Sequence, residues 1–111
     1  MSRSYNMSVE VSEFNHELAE AIQASANAEW NFAWFEDVDG NLHGDADGNL
    51  CGGESEEEFV DRLSLAIWKA NAEFCEVQVI ATFLEDLPYE MHTQTREDYH
   101  RLLNQQREAS S

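Results

Sequence analysis

The chain reads as an α+β domain of ferredoxin-like type. In this βαββαβ order two helices pack on one face of a four-stranded antiparallel sheet, and here a C-terminal helix follows. Three observations predict it. Two-residue alternation of apolar side chains marks the first and last strands, and a helical stripe of apolar residues follows the first strand and precedes the last. The two stripes also resemble each other in sequence at a separation of about 45 residues.

Tyr5, Met7, Val9 and Val11 alternate with Asn6, Ser8, Glu10 and Ser12, which gives the first strand one buried and one wet face. Phe14, Leu18, Ile22, Ala26 and Trp30 then recur four apart, the spacing of one helix face. Phe32, Trp34 and Glu36 alternate with Ala33, Phe35 and Asp37 in an aromatic strand ending near Val38. Asp39-Gly40 is a tight-turn pair, and Leu42 to Leu50 supplies a short return strand or a loop. Phe59, Leu63, Ile67, Ala70 and Phe74 form the second helical stripe, opened by Ser55 and Glu58 as a capping box. Val77 to Leu84 is the last strand, with Val77, Val79, Ala81 and Phe83 on one side, closed by Pro88. Thr95 with Asp98 starts a terminal helix over 95–107 that carries Tyr99, Leu102 and Leu103.

The stripes match as Glu13-Phe14 with Glu58-Phe59, Leu18 with Leu63, and Ala21-Ile22 with Ala66-Ile67. After a one-residue slip, the segment Ala26 to Trp30 matches Ala70 to Phe74. This predicts an internal duplication, about 5–38 and 42–84, inside one domain spanning 1–111. A sheet with helices on one face leaves the other open. Ile80, Thr82 and Leu84 lie on that second face of the last strand, so the expectation is a homodimer or a C-terminal helix folded over it.

At 111 residues with 42% hydrophobic content and six Phe, the chain supports one core and is too apolar for a disordered acidic tail. Cys51 and Cys75 alone do not make a disulfide framework and suit a reducing compartment. Residues 1–6 lack a basic start followed by an apolar run, and no stretch approaches the ~20 apolar residues of a membrane span. A cytoplasmic location is the expectation.

Charge is the strongest functional signal. The sequence has 23 acids against 6 bases, a net charge of -17, and residues 4–61 hold 15 acids with no Lys or Arg. Such a field attracts cations and basic proteins and repels nucleic acid and anionic membranes. Salt adaptation gives a similar composition, and Lys69 is the only lysine. Against it, five of the six bases fall at or beyond Arg62, an uneven distribution.

Asp37-Val38-Asp39-Gly40-Asn41-Leu42 returns as Asp45-Ala46-Asp47-Gly48-Asn49-Leu50. The register His43, Asp45, Asp47, Gly48, Leu50, Glu54 approximates a calcium loop, but histidine stands at the first ligand position and a strand precedes where a helix is needed. The simpler reading is turns made by Gly48, Gly52 and Gly53 with solvated carboxylates, a weak divalent-cation loop at most, and no assigned metal or cofactor. His16, His43, His92 and His100 fall in no paired ligand spacing, and Cys51 and Cys75 stand 24 residues apart. Glu57 and Asp61 share a helix face, but the run Glu56-Glu57-Glu58 suits a solvated first helical turn, where carboxylates favour the helix dipole. Gly52-Gly53 lacks the lysine and spacing of a phosphate loop. No catalytic residue is assigned, and an enzyme is not expected.

A basic footprint is what binds phosphates, so direct nucleic-acid binding is disfavoured. Reversed, the same physics predicts that a rigid acidic domain can occupy the basic groove of a DNA- or RNA-binding protein. The candidates for that contact are Glu13, Glu17, Glu20, Asp37, Asp39, Asp45, Asp47, Glu54, Glu56, Glu57, Glu58 and Asp61. Trp68 is the preferred apolar anchor over Trp34 and Phe35. In general character the chain resembles the small acidic nucleic-acid mimics of phages and mobile elements that block restriction, CRISPR or repair enzymes. That resemblance implies an inhibitor of anti-restriction or anti-CRISPR type. The alternative is a non-enzymatic binding or regulatory module, dimeric or salt-adapted.

Overall fold

The computed structural model describes residues 3–50, 54–84 and 89–110. Its elements are β1 (Arg3–Ser12), a 3-10 turn (His16–Leu18), α1 (Ala19–Asn27), β2 (Ala33–Glu36), β3 (Leu42–Leu50), α2 (Glu56–Asn71), β4 (Glu76–Phe83), β5 (Tyr89–Gln94) and α3 (Arg96–Ser110). The five strands form one sheet in the order β2-β3-β1-β4-β5. Every neighbouring pair is antiparallel. The molecule is an α+β fold with helices packed on one face of the sheet, broadly ferredoxin-like, extended by β5 and α3 beyond βαββαβ. Its extents of 41 × 36 × 21 Å are those of a two-layer slab.

The alternation in β1 decides what each face of the sheet carries. Tyr5, Met7, Val9 and Val11 are buried beneath the helices with Val77, Val79 and Ala81 of β4, their register partners or near neighbours. Ile22 and Ala26 of α1 and Phe59, Val60, Leu63 and Ile67 of α2 close the core from above. Ser55 accepts from the Glu58 amide at 3.1 Å and caps α2 as its sequence predicts.

Three sequence expectations are corrected, and of the two alternatives for 42–50 the strand is the one found. The first helical stripe does not form one helix from Phe14 to Trp30: the chain enters through a 3-10 turn, and α1 is only nine residues long. Trp30 nevertheless remains buried beyond the helix end, its indole donating to the Ala46 carbonyl at 3.0 Å. Residues 42–50 are a nine-residue strand, so His43, Asp45 and Asp47 lie along one side of an extended chain and cannot wrap around a calcium ion. Gly48 lies in that strand rather than in a turn. A fifth strand follows the predicted last one. Cys51, Gly52, Gly53 and Pro88, also given roles above, lie outside the described residues.

The C-terminal helix begins where predicted. Asp98 accepts from the Thr95 amide at 2.9 Å, and Thr95 accepts from the Asp98 amide at 3.3 Å, a reciprocal cap. It does not cover the open side of the sheet. Leu102 is buried, and the Tyr99 ring meets Trp68 edge-on at 5.1 Å and Phe74 at 5.8 Å, which places α3 beside α2 in the helix layer. The uncovered face tolerates water because its side chains are polar along most of each strand.

Candidate protein-binding face

Strand register assembles the open face residue by residue. β1 contributes Ser4, Asn6, Ser8, Glu10 and Ser12, and β3 sets Asn49, Asp47, Asp45 and His43 opposite the first four of these. β4 adds Glu76, Gln78, Ile80 and Thr82, and β5 brings Thr93, Met91 and Tyr89 beside the last three. From β2, Phe35 lies against His43 on the same side.

Short polar side chains tie this face together. Asn6 donates to Asp45 at 2.6 Å and to Asp47 at 2.9 Å, holding the two carboxylates side by side. Ser4 donates to Asn49 at 3.0 Å, Ser12 to Glu76 at 3.2 Å, and Gln78 to the Met91 sulfur at 3.1 Å. Each neutral donor satisfies a carboxylate or acceptor without cancelling charge. Successive residues on one side of a strand stand about 6.8 Å apart. Asp45 and Asp47 therefore repeat at twice the ~3.4 Å rise between phosphates on one DNA strand.

The bases are elsewhere. Among the described side chains, Arg62 and Lys69 belong to α2 and Arg96 and Arg101 to α3. Arg62 pairs with Glu29 and Glu54, both at 2.6 Å, and lies over the Phe59 ring. Arg101 bridges Asp61 at 3.4 Å and Asp98 at 3.3 Å, and Arg96 lies 4.7 Å above the Phe74 ring. The helix layer is thus partly neutralised from within, while Glu10, Asp45, Asp47 and Glu76 share a face that carries no Lys or Arg among the described residues.

This divides the candidate carboxylates. Asp45 and Asp47 stand exposed on the open face, with Asp37 and Asp39 in the turn at its edge. Glu54 and Asp61 are engaged by arginines, and Glu56 accepts from the Tyr5 hydroxyl at 2.8 Å. Glu13, Glu17, Glu20, Glu57 and Glu58 are exposed around the helix layer and its entry loop. Trp68, expected as an anchor, is only 2% exposed, and its indole donates to the Cys75 carbonyl at 2.8 Å. It offers a partner nothing. Trp34 is half-buried, donating to Asn27 at 2.8 Å. Among the described residues the exposed large apolar side chains are instead Phe35 at 60%, Met91 at 55% and Tyr89 at 67% on the sheet, with Val38 in the β2–β3 turn. The strand alternation already places Phe35 opposite Trp34; only the register of β5 reveals Met91 and Tyr89.

No protein-family model, curated protein or solved structure matches this chain. The site is therefore read from its own chemistry.

Among the described residues, two clusters unite a histidine with two carboxylates. Glu10, Asp37 and His43 meet at the β2–β3 end of the open face, and Glu56, Glu90 and His92 meet between α2 and β5. In the first, His43 Nε2 lies 2.7 Å from Asp37 Oδ2 and 3.4 Å from Glu10 Oε2. Hydrogen bonding from His43 and from the amides of Asn41 and Asp39 holds the Asp37 carboxyl below the usual carboxylate range. In the second, Glu56 and Glu90 lie 3.3 and 3.7 Å from His92 Nε2. The Cys75 thiol is pushed up to about 12 by burial, with Glu73 adding to the effect, so it is a packing residue rather than a nucleophile. No described helix is long and apolar enough to cross a membrane.

Proposed function

We propose that the protein is a non-enzymatic acidic inhibitor. Its open sheet face occupies the basic groove of a DNA- or RNA-binding protein in place of the nucleic acid. The single observation that supports this reading is the segregation of charge: arginines neutralise carboxylates in the helix layer, and among the described side chains none does so on the sheet face. Asp45 and Asp47 keep their spacing because Asn6 links them, and a rigid array loses little entropy when a partner binds. Phe35 and Met91, exposed toward opposite edges of the sheet, supply apolar contact to a groove that receives the carboxylates.

A target of anti-restriction or anti-CRISPR type, met in the cytoplasm, fits this chemistry. The alternative use of the face, a homodimer through the sheet, is opposed by placing Glu10, Asp45, Asp47 and Glu76 of two copies against one another. Like charges juxtaposed at an interface cost several kcal/mol.

Competition against nucleic acid tests the reading across a panel of restriction endonucleases and CRISPR effectors. Inhibition is expected for at least one, weakening steeply as salt rises from about 50 mM to about 200 mM. The double reversal Asp45→Lys with Asp47→Lys should abolish it, while Glu57→Lys with Glu58→Lys should leave most of it. No inhibition anywhere in the panel, or loss with the helix pair and retention with the sheet pair, refutes the assignment.

A further inference from the structure

We propose that Glu10, Asp37 and His43 form a binding site for one divalent transition-metal ion, with Zn2+ the best match, on the open face of the sheet. Three separate pieces of backbone bring the ligands together. Glu10 of β1 and His43 of β3 are direct register partners across an antiparallel pair, and Asp37 reaches them from the turn between β2 and β3. Their ligand atoms all lie within 4.8 Å of one another.

Two of the three ligands are oriented by contacts outside the trio. The imidazole of His43 stacks on Phe35 at 4.9 Å and 8°. Asp37 Oδ1 accepts from the Asp39 amide at 2.9 Å and the Asn41 amide at 3.0 Å, which leaves Oδ2 facing His43. Hydrogen-bonded carboxylates and fixed rings are what metal ligands ordinarily have behind them.

Distances favour a small ion. Bonds of 2.0–2.2 Å to nitrogen and oxygen at the tetrahedral angle separate the ligand atoms by about 3.3 Å. The contact from Nε2 to Glu10 Oε2 is already 3.4 Å, and the 2.7 Å contact to Asp37 Oδ2 must open by about 0.6 Å. Binding replaces the proton on Nε2 with the metal, and that proton leaves to solvent or to the other ring nitrogen. Imidazole selects against Ca2+ and Mg2+, which prefer oxygen ligands only.

Three protein ligands leave a coordination position open. Beside them the sheet forms a depression of 290 Å³ lined by Ser8, Phe35, Gln78 and Ile80 together with Glu10 and His43. A fourth ligand, water or a group from a partner, fits there. The site does not depend on the inhibitor reading, since it uses neither Asp45 nor Asp47.

The chelator-stripped full chain titrated with Zn2+ alone, followed by calorimetry and by the imidazole nitrogen resonances, tests the site. One Zn2+ per chain should bind, with the His43 Nε2 resonance shifting on saturation. Affinity should fall at least tenfold in His43→Gln and again in Glu10→Gln, and stay unchanged in His92→Gln. Mg2+ in large excess should not compete. Unchanged affinity in both His43→Gln and Glu10→Gln, equal competition by Mg2+, or a shift at His92 instead of His43 would each overturn the proposal and reduce the binding to diffuse attraction by an acidic surface.

Discussion

At the scale of single residues, the meeting of Trp30 with Gly48 shows most clearly why a local motif misleads. A Cβ on Gly48 would stand 2.5 Å from the Trp30 ring, and one on Gly44 would stand 3.0 Å from the Trp34 ring. These glycines flatten β3 so that two indoles can lie on it. Gly40, in the first copy of the same hexapeptide, has a φ of +85° and makes a real turn. Nearly identical letters thus take two conformations: the second copy lies extended under the Trp30 ring, whereas the first turns beside the His16 ring. That difference is tertiary, and neighbours in sequence do not encode it. Gly48→Ala should therefore destabilise the fold by about 1–3 kcal/mol through overpacking against a rigid ring, read as a lower denaturant midpoint. Trp68 is a similar case. It lies off the stripe of Phe59, Leu63 and Ile67, which suggests exposure, yet Tyr99 of α3 covers it from a part of the chain whose docking the stripe does not reveal.

Among the elements, periodicity made most of the core-facing ones legible but did not fix their ends: the Phe14 to Trp30 stripe runs past both ends of α1. The alternation in β1 and β4 and the stripe with its Ser55 cap in α2 were readable, because each buries one apolar face against the same core. β5 was hidden. Tyr89, Glu90, Met91, His92, Thr93 and Gln94 form an edge strand in which only Gln94 is fully buried, so no apolar repeat marks it. The start of α3 was readable from Thr95 and Asp98, and that cap makes a pH prediction. Hydrogen bonds from the Thr95 amide and hydroxyl, with Arg101 adding, hold the Asp98 carboxyl below its ordinary value. A depressed folded-state value stabilises the fold above the unfolded pKa of about 3.9, and that contribution is lost as pH falls through the folded value. Asp98→Asn should then lower stability at pH 6, and its deficit relative to the parent should shrink at pH 3, as followed by denaturant titration at both values.

For the whole molecule, charge is the term that composition states and only coordinates distribute. The net charge of -17 was evident from the letters; that the paired arginines among the described side chains, Arg62 and Arg101, lie in the helix layer depended on register and on helix docking. Self-repulsion at this charge opposes compaction and is screened within about 8 Å at physiological salt. The thermal midpoint should therefore rise with added NaCl while the fold persists in dilute buffer; unfolding on dialysis to low salt would instead identify a halophilic protein. Uneven charge also gives the slab a front and a back. An amine-coated chip or anion-exchange bead would seize it by the sheet and turn its helices outward, hiding the strand face from any partner. Immobilisation for binding measurements should accordingly run through a tether beyond α3, so that the strands point into solution.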